Sequence, residues 1–223
     1  MSDLQELSSR PIPFLQLLDL SEMISLPRCR KMFYKIPVDP YVKQGFRYKK
    51  IARFTICEEK VLRQPHKPLW QPKYIIPEHQ GMARIYHEFD PNEEFASEIH
   101  PVIKLFAEIT NMKEGDTVLF QTQRVKTSKE KIGLPTSEGW HQDGTQSMMA
   151  LLCVNRKNIQ GGRSQVALAQ GENIIFDYPL SSGEMVIFDD HKFWHYVTPI
   201  YPADETKEGY RDVFIIANLS LME

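Results

Sequence analysis

Three short stretches of this 223-residue chain carry side chains whose types and spacing suit metal chemistry. The first is Gly139-Trp140-His141-Gln142-Asp143-Gly144. Extended backbone sends residues i and i+2 to one face, so His141 and Asp143 are expected to project together. An imidazole beside a carboxylate is two thirds of a 2-His-1-carboxylate site, which holds non-haem Fe(II) and leaves coordination positions open. An H-x-D pair is short enough to arise by chance, so a third ligand must decide. It is sought in Asp189-Asp190-His191-Lys192-Phe193-Trp194-His195-Tyr196-Val197. His195 opens an alternating run and shares a face with Val197; His191 sits beside two acids just past a strand end. His195 is the better candidate. The third stretch is Arg211, which opens the apolar run Val213-Phe214-Ile215-Ile216-Ala217. A buried Arg demands an anion, and its planar fork suits a carboxylate. Asp212, Asp189 and Asp190 are the internal alternatives.

These residues need a scaffold of strands. After Gly115-Asp116 the pattern predicts strands near 117–126, 140–154, 164–169, 173–176, 184–189, 194–200 and 212–220. Turn chemistry at Gly161-Gly162, Gly171-Glu172-Asn173 and Ser181-Ser182-Gly183 separates several of them, and short strands at near-regular spacing argue for a sandwich or barrel. Upstream, Phe14, Leu17, Leu18 and Met23 predict an amphipathic helix over 14–26. Arg47 to Phe54 mixes basic and apolar residues in a strand-like run, read as a solvated face or as one Arg turned inward to bind an anion. Residues 57–80, with four prolines, read as a long loop, and 81–89 as another strand. Asp90-Pro91-Asn92 is a helix start. Phe95, Ile99, Val102 and Phe106 form the face of a helix that Pro101 is expected to break in two.

Composition narrows the class. Hydrophobic content of 42% and charged content of 25% are those of a soluble globular protein. A net charge of −2 gives no push toward nucleic acid or an anionic membrane. Three cysteines with no C-x-x-C spacing suggest neither a disulfide framework nor a zinc knuckle. A reducing cytoplasm is the simplest setting. Neither a signal peptide nor a membrane-spanning segment is expected. No linker divides the chain, so one domain over 1–223 is expected, with a helical or extended N-terminal region to about 45 and a strand core over 117–220.

H-x-D, a distal His after several strands, and an Arg on the following strand together resemble the Fe(II)- and 2-oxoglutarate-dependent dioxygenases. Four further segments are similar to the subgroup of bacterial free L-amino-acid hydroxylases. They are His195-Tyr196-Val197-Thr198-Pro199-Ile200, Gly209-Tyr210-Arg211-Asp212-Val213, Asn158-Ile159-Gln160-Gly161-Gly162 and Gln123-Arg124-Val125-Lys126. The resemblance implies a double-stranded β-helix, a mainly β jelly roll with helices on one face. It implies His141, Asp143 and His195 as iron ligands and Arg211 as the anchor for the distal carboxylate of 2-oxoglutarate. O2 would be cosubstrate and ascorbate a stimulant. The implied reaction hydroxylates an unactivated carbon of a small molecule, a free amino acid, with no nucleic-acid or membrane partner. The alternatives are the same chemistry on a peptide, protein or nucleic-acid base, or a metal-binding jelly roll without turnover. Many relatives place Ser or Thr two residues beyond the Arg; here that residue is Val213, so another side chain must help. Counting by twos along the strand after H-x-D puts Met149, Leu151 and Cys153 on one face. That would bring Cys153 to the cofactor pocket, the alternative being a buried structural thiol. Arg124 is the first candidate to hold a substrate carboxylate, with Arg53, Arg84 and Arg163 as rivals.

Overall fold

The strands that carry the candidate residues lie in two facing sheets. The computed structural model describes residues 14–58, 60–70, 83–89, 96–143 and 148–219. In chain order these form β1 (Leu15–Asp19), α1 (Leu26–Lys31), β2 (Arg47–Cys57), β3 (Lys60–Arg63), β4 (Leu69–Trp70), β5 (Ala83–Arg84), β6 (His87–Glu88) and α2 (Ala96–Ile109). Then follow β7 (Thr117–Thr127), β8 (Met148–Lys157), β9 (Ile159–Gly161), β10 (Ser164–Ala169) and β11 (Glu172–Tyr178). The last four strands are β12 (Glu184–Asp189), β13 (Trp194–Val197), β14 (Ile200–Pro202) and β15 (Gly209–Asn218). The large sheet runs β1-β12-β8-β15-β7-β2-β3, antiparallel throughout, with β6 added parallel to β2. Opposite it, β11-β10-β13 form a smaller sheet. This is the mainly β jelly roll that the resemblance implies.

Period-two alternation divides the large sheet into two chemically distinct faces. One face presents Phe54, Phe120, Leu152, Ile187 and Phe214 to Cys29 and Phe33 around α1 and to Ile99, Val102, Ile103 and Phe106 of α2. Their burial supplies the main core, each large side chain contributing about 1.5–3 kcal/mol. The other face turns Met149, Leu151, Val186, Ile215 and Ala217 toward the small sheet and lines a cavity between the two.

Two predicted helical features come out differently. Residues 14–26 hold no helix beyond its last residue: Leu15–Asp19 is an edge strand paired in register with β12, from Leu15↔Phe188 to Asp19↔Glu184. The apolar spacing there also fits a helix, but the open edge of β12 offers a full set of backbone partners. A short helix follows from Leu26, with Pro27 in its first turn. Pro101 does not break its helix, which runs unbroken over Ala96–Ile109. The hydrogen bond lost at Pro101 is outweighed by packing, since four fully buried apolar side chains hold the helix to the sheet. The expected start at Asp90-Pro91-Asn92 lies outside the described residues, as does Phe95. Of the loop expected over 57–80, residues 59 and 71–80 lie outside the described residues, and within the rest Lys60–Arg63 pairs back on β2 as a hairpin. Of the strand expected over 81–89, two-residue strands form at Ala83–Arg84 and His87–Glu88. No helix among the described residues is long and apolar enough to cross a membrane.

Candidate metal centre and its cavity

His141 and His195 face each other across an isolated antiparallel bridge. His141 N–H donates to His195 O at 3.1 Å and His195 N–H to His141 O at 2.9 Å. Residues directly opposite in such a pair project side by side, and the two rings sit 4.1 Å apart between centroids. Asp143 completes the group two residues on: ligand atoms of His141, Asp143 and His195 all lie within 4.8 Å of one another. His191 does not join them; it is exposed in the turn before β13.

The backbone that carries H-x-D is pinned to β13. Thr136 Oγ1 donates to Val197 O at 3.0 Å and accepts from Val197 N–H at 3.1 Å. Trp140 packs on Tyr196 with ring centroids 5.4 Å apart. Each imidazole is also oriented from behind. His141 Nδ1 lies 2.8 Å from Gly139 O, which places the proton on Nδ1 and leaves the Nε2 lone pair facing Asp143. His195 Nδ1 lies 3.2 Å from Asp190 Oδ1. Asp190, fully buried, also accepts the Asp143 N–H with both carboxylate oxygens, at 3.1 and 3.0 Å. One carboxylate thus fixes two of the three candidate ligands.

The electrostatics suit a cation. Burial opposes charge on the His195 imidazole, yet Asp190 and Asp143 more than compensate and its pKa is raised. A negative field that attracts a proton there attracts a divalent metal equally. Glu138 adds to it, with Oε1 3.7 Å from His141 Nε2 and Oε2 3.8 Å from Arg47 Nη1. Burial would raise its carboxyl pKa, but His141 and Arg47 bring it below the usual value.

Arg211 lies in the same cavity and is only 2% exposed. Burial pushes its pKa down to about 10. Nη2 donates to Ser164 Oγ at 3.2 Å, and Nε has no partner. All three internal acids are engaged elsewhere. Asp212 points to the other face of β15 and takes a two-pronged bond from Arg124, at 2.6 and 2.7 Å. Asp189 lies 3.7 Å from Lys192 Nζ, and Asp190 serves the metal ligands. Gly162, at φ +64°, makes room: a Cβ there would meet Arg211 Cδ at 3.2 Å and Ile200 Cγ2 at 2.8 Å. Ser164, from β10, supplies the hydroxyl beside the Arg that Val213 lacks.

Neither Arg124 nor Cys153 is among the residues that line the cavity. Besides its pair with Asp212, Arg124 lies 4.3 Å from the Tyr210 ring centroid. Period-two counting along β7 puts it opposite to Gln123, which faces in. Cys153 is fully buried in the apolar cluster that also holds Met149 and Leu151, paired in register with Val213 and near enough to Arg211 to feel its charge. Met149 and Leu151 of the same face do line the cavity. Of the rivals to Arg124, Arg53 donates to Lys67 O and Pro68 O, and Arg163 binds Asp177 at the surface. Arg84 lines the cavity, together with Arg47 and Lys49. The basic strip of β2 therefore turns inward: Arg47, Lys49 and Arg53 are all buried.

A cavity holding a His–Asp–His cluster beside an unpaired Arg, between the sheets of a jelly roll, agrees with the comparisons to known proteins. The model of the 2OG-Fe dioxygenase family matches residues 30–217, and the chain belongs to that family. It is accordingly an oxidoreductase that uses Fe(II) and 2-oxoglutarate. In fold it is similar to a bsmA homologue from Methylobium petroleophilum PM1, with a TM-score of 0.75 and 21% identity over 98% of this chain and 92% of that one. It is also similar to IDO from Bacillus thuringiensis (TM-score 0.71, 15% identity, 96% and 92% covered). A third similar structure is the Fe(II)/(alpha)ketoglutarate-dependent dioxygenase TqaL (TM-score 0.69, 15% identity, 96% and 84% covered). No curated protein matches the sequence.

Proposed function

We propose that this enzyme hydroxylates an unactivated carbon of a small substrate, and that the substrate is a free L-amino acid. His141, Asp143 and His195 would hold the iron, and Arg211 with Ser164 would hold the distal carboxylate of 2-oxoglutarate. The observation that carries this reading is the buried guanidinium with no internal acid, opening into the cavity that contains the three clustered ligands. An isolated buried charge is expensive, and a dianionic cosubstrate relieves it.

Bound Fe(II) and 2-oxoglutarate would let O2 act as the oxidant, one oxygen atom entering succinate as CO2 leaves and the other converting C–H to C–OH. The protein's own task is aiming and shielding. Met149, Leu151, Val186, Phe188, Ile215 and Ala217 form an apolar wall that keeps water off the reacting carbon. Gly139 O and Asp190 fix the rings of His141 and His195, so the lone pairs toward the metal stay in place during turnover. A small substrate is supported by a cavity enclosed between two sheets. The inward turn of Arg47, Lys49 and Arg53 removes the basic outer strip that a nucleic acid would need. The amino-acid reading is supported by the segments shared with the free amino-acid hydroxylases.

The test is succinate formation by purified protein with Fe(II), ascorbate and 2-oxoglutarate, against the free L-amino acids, with His141→Ala as control. One amino acid should stimulate succinate release and gain one oxygen atom, and the variant should do neither. Succinate release that no amino acid stimulates would rule out the amino-acid reading while leaving the cofactor chemistry intact.

A further inference from the structure

The cavity contains two more buried cations than the proposed cosubstrate site uses. Arg47 is matched: its Nε lies 2.8 Å from Oδ2 of Asp39, which is fully buried. Lys49, 9% exposed, and Arg84, 4% exposed, are not matched. Among the described residues neither has a carboxylate oxygen within 4.0 Å or a side-chain hydrogen bond. Both flank the Tyr86 ring, with Lys49 Nζ 4.9 Å and the Arg84 guanidinium carbon 5.7 Å from its centroid. A ring face attracts a cation but cannot neutralise one. Burial, and then repulsion by Arg47 and Arg84, pushes the Lys49 pKa down to about 8, although Asp39 and Asp143 pull the other way.

Two buried cations with no carboxylate in contact persist in a cavity wall where they meet an anion. That anion is not 2-oxoglutarate, if Arg211 and the metal take its two ends. Sheet register keeps the sites apart. Arg211, Val125 and Arg47 lie in one row across β15, β7 and β2, and Lys49 lies one inward step further along β2. Two strand spacings across and two residues along put the Cα atoms of Arg211 and Lys49 about 12 Å apart. Between them Gln123 of β7, directly opposite Lys49, lines the floor.

We infer that Lys49 and Arg84 form the seat for a carboxylate of the substrate itself. The substrate is then a small acid, its carboxylate at the β2 end of the cavity and its body reaching along the floor toward His141, Asp143 and His195. This rests on the proposed small-molecule reading and sharpens it. A residue inside a polypeptide has no free α-carboxylate, so any internal residue other than Asp or Glu would leave both cations unpaired.

The experiment is calorimetric titration of the Fe(II)- and 2-oxoglutarate-loaded enzyme without oxygen, where nothing turns over. The probes are the free L-amino acids, their carboxamides, and simple mono- and dicarboxylates. At least one acid should bind, and its carboxamide at least about 10-fold more weakly, the value of one hydrogen bond to a charged group. Lys49→Met and Arg84→Gln, taken separately, should each reduce that preference to within about 2-fold, and Arg84→Lys should restore part of it. A variant damaged only in packing weakens acid and amide together and leaves the ratio unchanged. A preferred acid that is not an amino acid, with its preference lost in both variants, upholds the seat and removes the amino-acid reading. Parity of acid and amide in the wild type, a preference that survives both substitutions, or no binding by any probe overturns the inference. Weaker 2-oxoglutarate binding in Arg84→Gln with the acid preference unchanged also overturns it, since the cations would then serve the cosubstrate.

Discussion

Replacing Lys49 by Met should stabilise the ligand-free protein. The side chain is 9% exposed, has two arginines for neighbours, and its pKa falls from 10.5 to about 8 because burial, then Arg47 and Arg84, disfavour the charged form. At about 1.4 kcal/mol per pKa unit, holding the proton at neutral pH costs the fold about 3 kcal/mol. Met keeps the length of the stem and removes the charge. For a domain of this size, about 2–4 °C per kcal/mol translates this into a rise of about 6–12 °C in melting temperature at full effect. The pH dependence follows from the sign of the shift. Below pH 8 the lysine is protonated in both states and the penalty is complete. Between about 8 and 10.5 the unfolded chain binds a proton that the folded chain does not, so wild-type stability climbs with pH relative to the variant. Melts of both proteins from pH 7 to 10.5 should therefore show a gap that closes as pH rises. A variant no more stable than wild type at pH 7, or a gap that stays constant with pH, would refute the reasoning.

Asp190→Asn should weaken iron retention about 10–100-fold, measured by competition with a chelator, because the carboxylate behind His195 and Asp143 is lost. Ser164→Ala should raise the KM for 2-oxoglutarate about 10-fold with iron stoichiometry unchanged, the value of one hydrogen bond to a carboxylate; an unchanged KM would separate Ser164 from the cosubstrate. Arg124→Ala should destabilise the fold by about 3–5 kcal/mol in a denaturant titration, because Asp212 would be left buried without its partner. Its effect on the acid-over-amide binding ratio should be nil.

The fold is legible in the sequence where turn residues bound short strand-forming runs. Strands β7, β10, β11 and β12 fall where the pattern puts them, within two residues at either end. The segment Phe14–Leu26 is not legible. Its apolar residues satisfy a helical spacing, and only the vacant edge of β12, distant in sequence, makes it a strand. The approach of His141, Asp143 and His195 is legible because H-x-D needs only local geometry and the alternation after Trp194 chooses between two histidines. Asp190 is visible only as an acid near a strand end. That it reaches back to the Asp143 N–H depends on a contact spanning 47 residues. Arg124 and Lys49 show the same limit from opposite sides. Each is a basic residue in a strand, and the facing direction that separates a structural pair with Asp212 from a place in the cavity is set by register across β15, β7 and β2.

The most direct test of the account is anaerobic titration of the apoprotein with Fe(II) and then 2-oxoglutarate, following the visible charge-transfer absorption of the iron–2-oxoglutarate chelate. The prediction is one iron per chain, with the band appearing as 2-oxoglutarate is added. Iron binding should be lost in His141→Ala and His195→Ala. In Arg211→Met iron should be kept, with 2-oxoglutarate bound at least about 10-fold more weakly, as removal of a charged hydrogen bond requires. Full iron binding in both histidine variants, or an Arg211→Met protein that saturates with 2-oxoglutarate as wild type does, would contradict the assignment of this cavity.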